Sequence, residues 1–173
     1  MSQLTMPRRK HLRLPGYDYR QPGFYFVTIC TMNRRCLLGS VDDFAVRLSE
    51  IGLIVQECWL ALPEWFENVA LDQFIIMPNH LHGILQITHL GPSLRTTIGS
   101  FKSAVTRLSH KKYLPSKQEL WQRGYFDHIV RSETSLLRLR QYILDNPIKW
   151  HLDELHPLHP QPGRCMGIAP TSK

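Results

Sequence analysis

The run Met77-Pro78-Asn79-His80-Leu81-His82-Gly83-Ile84-Leu85-Gln86-Ile87 decides how the chain is read. It follows the apolar segment Phe74-Ile75-Ile76, with Pro78-Asn79 as a turn signal between the two. Two apolar runs across so short a connection predict an antiparallel strand pair. Side chains alternate along a strand, so His80 and His82 project from one face, roughly 7 Å apart at their Cα atoms. Leu81, Leu85 and Ile87 point the other way, into the core. Two imidazoles at the start of a strand, beside a turn, read either as half of a divalent-metal site or as an exposed or hydrogen-bonded pair. The pair alone leaves both readings open.

Working outward, Phe24 to Thr31 is β-branched and aromatic and predicts a largely buried first strand, ended by a turn at Asn33-Arg34-Arg35. Asp42 or Asp43 is a candidate cap for a helix starting near Phe44, because Val46, Ile51, Ile54, Val55, Cys58, Trp59 and Leu62 recur at helical spacing as far as Pro63. Val69–Met77 and His80–Thr88 are the second and third strands. A second helix follows Gly91-Pro92-Ser93, with Ile98, Phe101, Val105 and Leu108 on its inner face. Trp121–Arg131 reads as a fourth strand. Ser132 caps a last helix whose apolar side is Leu136, Leu137, Leu139, Ile143 and Leu144. Tyr142 and Asn146 lie one above the other on it, and Pro147 predicts its kink or end. The first six elements give β-α-β-β-α-β, a ferredoxin-like α+β fold with an antiparallel sheet and both helices on one face. The tyrosine helix comes after it, and one face of the sheet is left for a site or a partner.

Composition narrows the function. The chain has 173 residues, 43% hydrophobic and 10% aromatic, which suits one globular domain. Its formal net charge of +7 points to a polyanionic partner, nucleic acid first. No apolar run approaches the ~20 residues of a spanning helix, and no apolar stretch follows the charged N-terminus, so a cytoplasmic protein without membrane attachment is expected. The four cysteines show no C-x-x-C spacing and indicate neither a zinc site nor a disulfide framework. Residues 1–16 form a basic arm in which Arg8, Arg9, Lys10 and Arg13 either are simply solvated or lie against phosphates. Arg95, Lys102, Arg107, Lys111 and Lys112 on the second helix are further candidates for a phosphate backbone. The domain is expected over 17–152 and a flexible tail over 153–173.

Several stretches in order carry a resemblance. They are Gly23 to Thr28, Met77 to Gly83, Ser100-Phe101-Lys102-Ser103, Trp121-Gln122-Arg123-Gly124-Tyr125-Phe126-Asp127-His128 and Tyr142-Ile143-Leu144-Asp145-Asn146-Pro147. Together, over about residues 8–152, they resemble the HUH single-tyrosine, IS200-like transposases, and most closely the REP-associated tyrosine transposases. The resemblance implies that His80, His82 and Asn146 bind Mg²⁺ or Mn²⁺. It also implies that Tyr142 attacks a phosphate of single-stranded DNA to give a 5′-phosphotyrosine. Better-studied insertion-sequence relatives have glutamine at the position of Asn146, and the asparagine assigns the chain to the REP-associated branch. That branch implies a monomer, with a homodimer as the other possibility. It also implies hairpin DNA with an unpaired guide segment, whose bases could stack on Tyr17, Tyr19 or Trp150. Asp127 and His128 are candidates to support activation of Tyr142, or else a strand edge with a salt-bridged aspartate. The competing readings are a non-catalytic nucleic-acid-binding module on the same fold and a metal-dependent hydrolase using water.

Overall fold

The computed structural model describes residues 16–158. A four-stranded antiparallel sheet is built from β1 (Gly23–Cys30), β4 (Val69–Met77), β5 (His80–Ile87) and β6 (Phe126–Val130), in the order β4-β5-β1-β6. This is the ferredoxin-like order, with β1 and β5 at the centre. Strand alternation sorts the two faces. Tyr25, Val27, Ile29, Leu81, Leu85 and Ile87 share a core with α1 (Glu50–Leu60) and α3 (Leu94–Lys112), which supply Val55, Trp59, Ile98, Phe101 and Val105. Phe26 and Ile84 face the other way and are covered by Leu136, Leu139 and Ile143 of α4 (Glu133–Asp145). The last helix therefore closes the face that the β-α-β-β-α-β unit leaves open. Arg140 also ties α4 to β4, its Nε donating to Asp72 Oδ1 at 2.9 Å.

Three local expectations are corrected. No helix starts near Phe44: Gly39–Asp42 (β2) and Ala45–Leu48 (β3) pair as a small hairpin, and Val46 belongs to its second strand. Its two-residue loop puts Asp43 and Phe44 at φ 49° and 61°, a turn ordinarily signalled by Asn-Gly or Asp-Gly, so Asp-Phe conceals it. Helix α1 begins only at Glu50, where the Ser49 hydroxyl accepts from the Gly52 N–H. Pro63 lies in the first turn of a four-residue helix, α2 (Leu62–Trp65), directly after it. The fourth strand is shorter than Trp121–Arg131, because Gly124 at φ 82° turns the chain and leaves Trp121 as an isolated bridge to Thr31.

Gly83 is required by packing. A Cβ there would come within 2.4 Å of Trp59 Cζ2, so the indole lies against a bare strand backbone. Cys36 and Cys58 are free thiols. No helix among the described residues is long and apolar enough to cross a membrane. The packed chain runs past Leu152, the expected end of the domain, since Leu155 is buried. Arg8, Arg9, Lys10 and Arg13, with most of the expected arm and most of the expected tail, lie outside the described residues.

Candidate active site

The site forms where the start of β5 meets the end of α4. His80 pairs with Cys30 and Met77, and His82 with Thr28 and Ile75, so both imidazoles project from the middle of the sheet toward α4. Both are fully buried, and their ring centroids lie 4.4 Å apart. The His82 ring stacks on Phe26, and its Nδ1 meets the Thr28 hydroxyl at 2.8 Å. Its Nε2 lies 3.4 Å from the Tyr142 hydroxyl. Asn146 keeps helical φ and ψ despite preceding Pro147, and so stays one turn beyond Tyr142 on the same side of α4. Its side chain is buried.

Electrostatics follow from this burial. The His82 imidazole is pushed down to about 3 by burial. His80 is also pushed well below its ordinary range, by burial first and then by His82 and the Arg34 cation. Both rings are therefore neutral at pH 7, the state in which an imidazole offers a lone pair to a metal. The Tyr142 hydroxyl is pushed up, mainly by burial and then by Asp153, with the Asn146 amide working the other way. Burial likewise raises the carboxyl of Asp153.

Asp153 was not a candidate in the sequence, where it falls at the start of the expected tail. The chain turns back after a 3-10 turn at Trp150–Leu152 and brings the Asp153 Oδ2 to 4.0 Å from His80 Nε2. With a neutral imidazole at that distance the two are not an ion pair; they are two ligand-type atoms facing each other. Ligand atoms of His80, His82 and Asp153 all lie within 4.8 Å of one another. His80 Nε2 and Asn146 Oδ1 are buried with no hydrogen-bond partner among the described residues. Such atoms are costly to bury unless something else satisfies them, and a divalent cation fits this donor set. Trp150 also packs here, its ring 5.9 Å from His80 and 4.8 Å from His156, rather than standing free for a base.

The remaining candidates lie elsewhere. Asp127 pairs with Val27 and so faces the α1–α3 side, across the sheet from Tyr142. His128 pairs with Phe26 and lies on the Tyr142 side. Both line a 430 Å³ cavity with Tyr19, Ile129, Arg131, Ser132 and Ser135 at the start of α4. Tyr17 and Tyr19 pack edge-on to each other and against Tyr25. Lys102 is not on a free surface: its Nζ donates to the carbonyls of Gln122 and Gly124 at 2.7 and 2.8 Å, and burial holds its ammonium at about 8. Arg95, Arg107, Lys111 and Lys112 are exposed on α3, on the opposite face of the sheet from the two histidines.

Comparisons with known proteins bear on the family and the fold. Residues 54–146 match the family model described as "Transposase IS200 like". An uncharacterised protein of Haemophilus influenzae is 40% identical over 169 residues, covering 86% of this chain and 93% of its own. A second protein of that organism, provisionally named a REP-associated tyrosine transposase, is 26% identical over 140 residues, covering 76% of this chain and 74% of its own. Among solved structures, a REP-associated tyrosine transposase bound to a REP hairpin aligns with a TM-score of 0.64 at 17% identity, over 82% of this chain and 76% of that one. A Deinococcus radiodurans chain, provisionally described as a transposase, aligns with a TM-score of 0.51 at 20% identity, over 77% and 95%. With more than half of its length matched by the family model, the chain belongs to the IS200-like transposases.

Proposed function

We propose that this chain is a divalent-metal-dependent, single-stranded DNA nickase and strand transferase of the REP-associated type, with Tyr142 as its nucleophile. One observation carries the reading: the Tyr142 hydroxyl comes within 3.4 Å of His82 Nε2, beside the unsatisfied His80 Nε2 and Asn146 Oδ1. His80, His82 and Asn146, joined by Asp153, would hold the ion. Nitrogen ligands beside an amide and a carboxylate oxygen suit Mn²⁺ better than Mg²⁺ by ligand type. A bound ion would supply Lewis-acid charge at the scissile phosphate and ease ionisation of a hydroxyl that burial otherwise keeps protonated.

In the step itself the Tyr142 oxygen forms a bond to phosphorus and the bond from phosphorus to the 3′ oxygen breaks. The tyrosine gives up its proton, and the departing 3′ oxygen takes one up. The products are a 5′-phosphotyrosine and a free 3′-hydroxyl, which can attack in reverse and rejoin strands without another energy source. Packing of Tyr142 edge-on to Phe26 and beside the His82 ring limits the orientations of the nucleophile.

Hairpin DNA is the proposed partner. The structural neighbour was solved with a REP hairpin bound, and the net charge of +7 suits a phosphate backbone. The contact of Tyr142 with His82 can form within a single chain, which suits action as a monomer. A non-catalytic module would stack bases on an open sheet face, whereas here α4 covers that face, which favours the enzyme.

The test mixes the protein with Mn²⁺ or Mg²⁺ and labelled single-stranded hairpins from the DNA flanking its gene. A metal-dependent covalent protein–DNA adduct on a denaturing gel, lost in Tyr142→Phe and in His80→Ala/His82→Ala, is the expected result. Hairpin binding with no adduct under either metal would move the assignment to the binding module.

A further inference from the structure

We infer that Asn79 is a positioning residue: its side-chain amide holds His80 in the Nδ1–H tautomer and anchors the returning chain that carries Asp153. The consequence for metal binding rests on the function proposed above; the tautomer does not.

Asn79 is fully buried in the turn between β4 and β5. Its Nδ2 donates to the carbonyl oxygens of Arg34 at 3.0 Å and Leu155 at 2.7 Å. Both of those partners only accept, so the nitrogen must face them and the amide oxygen must face His80. That oxygen lies 2.8 Å from His80 Nδ1. An amide oxygen cannot donate, so Nδ1 carries the proton and the lone pair is left on Nε2, the atom that faces Asp153. The contrast with His82 is direct. Its Nδ1 meets the Thr28 hydroxyl, which can donate or accept, so that contact selects no tautomer.

The same amide shapes the other side of the site. Leu155 accepts from Asn79 through its carbonyl, and its own N–H donates to Asp153 Oδ1 at 2.7 Å. Two consecutive hydrogen bonds thus run from the turn to the carboxylate that faces His80. The backbone of Asn79 is braced as well, since its carbonyl accepts from the Thr31 N–H and hydroxyl at 2.9 and 3.0 Å. A residue held this firmly can orient a ligand, because groups that hydrogen-bond a ligating histidine set its tautomer and direction.

Two substitutions separate the roles. Asn79→Ala removes the acceptor and both donations. Asn79→Asp keeps an acceptor for His80 Nδ1 but cannot donate to Arg34 or Leu155. The tautomer is read on the metal-free, ¹⁵N-labelled full chain from long-range proton–nitrogen correlations of the imidazole, and Mn²⁺ affinity from electron paramagnetic resonance. The expected result is Nδ1 protonation of His80 in the wild type and in Asn79→Asp, with the Nε2–H form appearing in Asn79→Ala. Mn²⁺ binding should weaken about 10- to 100-fold in Asn79→Ala and lie between that and wild type in Asn79→Asp. Wild-type His80 protonated on Nε2, or Asn79→Ala retaining the Nδ1 proton, would overturn the inference. Should Asn79→Ala not fold, the wild-type spectrum and Asn79→Asp still decide it. A wild-type chain with Nδ1 protonated that binds no Mn²⁺ would support the tautomer while counting against the metal reading.

Discussion

The Tyr142 hydroxyl lies 3.4 Å from Nε2 of His82, across 60 residues of sequence. The contact joins the centre of the sheet to the last turn of the final helix. In a protein that cuts DNA through a tyrosine, removing the hydroxyl should end chemistry without ending binding. Tyr142→Phe is therefore expected to lose the covalent adduct completely while keeping hairpin and Mn²⁺ affinity within a few-fold. Its stability should change by no more than about 1 kcal/mol, the scale of one net hydrogen bond. Adduct formation by the phenylalanine variant would show that another residue is the nucleophile.

Asp153 should contribute to metal affinity although it lies beyond the expected domain boundary. Its carboxylate faces His80, and ligand atoms of the two histidines and the aspartate fall within 4.8 Å of one another. Asp153→Ala is expected to weaken Mn²⁺ binding by about 10- to 100-fold, on the scale seen when metal-site partners are lost. Glu154→Ala, which removes a neighbouring exposed carboxylate, is the control and should leave affinity within two- to three-fold. Equal losses in both variants would mean that only diffuse negative charge matters.

Acid should unfold the metal-free chain through the two histidines. Burial lowers His82 to about 3 and His80 in the same direction, whereas an unfolded histidine titrates at about 6.5. Below about 6.5 the unfolded chain binds protons that the folded chain refuses. Their contribution to stability is thus complete above that pH and is lost as the pH falls, by up to roughly 1.4 kcal/mol per pH unit for each ring. Asp153, whose carboxyl is raised by burial, acts in the opposite sense above the ordinary carboxyl range. Urea midpoints measured between pH 7 and 4.5 should fall steeply in wild type and less steeply in His82→Gln. Parallel slopes would contradict the buried, neutral state of His82.

How far the site could be read from residue order depends on where each group sits. His80 and His82 were legible because alternation along β5 determines their common face, and Tyr142 and Asn146 because helical spacing stacks them. The meeting of the two pairs was not a local property; it came from the family resemblance, and the structure supplies it by packing Leu136, Leu139 and Ile143 on Phe26 and Ile84. Asp153 had no signal at all. It follows Pro147 in a stretch without periodicity, and its position depends on the long-range bond from Asn79 to Leu155. The β2–β3 hairpin was hidden for another reason, since its turn uses Asp43-Phe44 in a conformation that sequence patterns associate with glycine. Lys102 looked like one more exposed cation because spacing reveals the face of a helix but not a neighbouring loop whose carbonyls bind it.

Gly83 links the histidine side of the sheet to its core. It follows His82 directly, but it faces α1, where a Cβ would lie 2.4 Å from Cζ2 and 2.9 Å from Cη2 of Trp59. Trp59 is fully buried and packs edge-on to Phe101, so the indole has little room to retreat. Gly83→Ala should therefore overpack the core by about 1–3 kcal/mol, a loss of about 2–12 °C in Tm for a chain of this size. If the strand moves to relieve the clash, His82 moves with it, and Mn²⁺ affinity should fall in the same variant. Trp59→Phe removes the colliding ring and should make the second change cheaper: Gly83→Ala should cost less in that background than in wild type. Additive losses in thermal denaturation of the four chains would show that the indole is not what excludes a side chain at position 83.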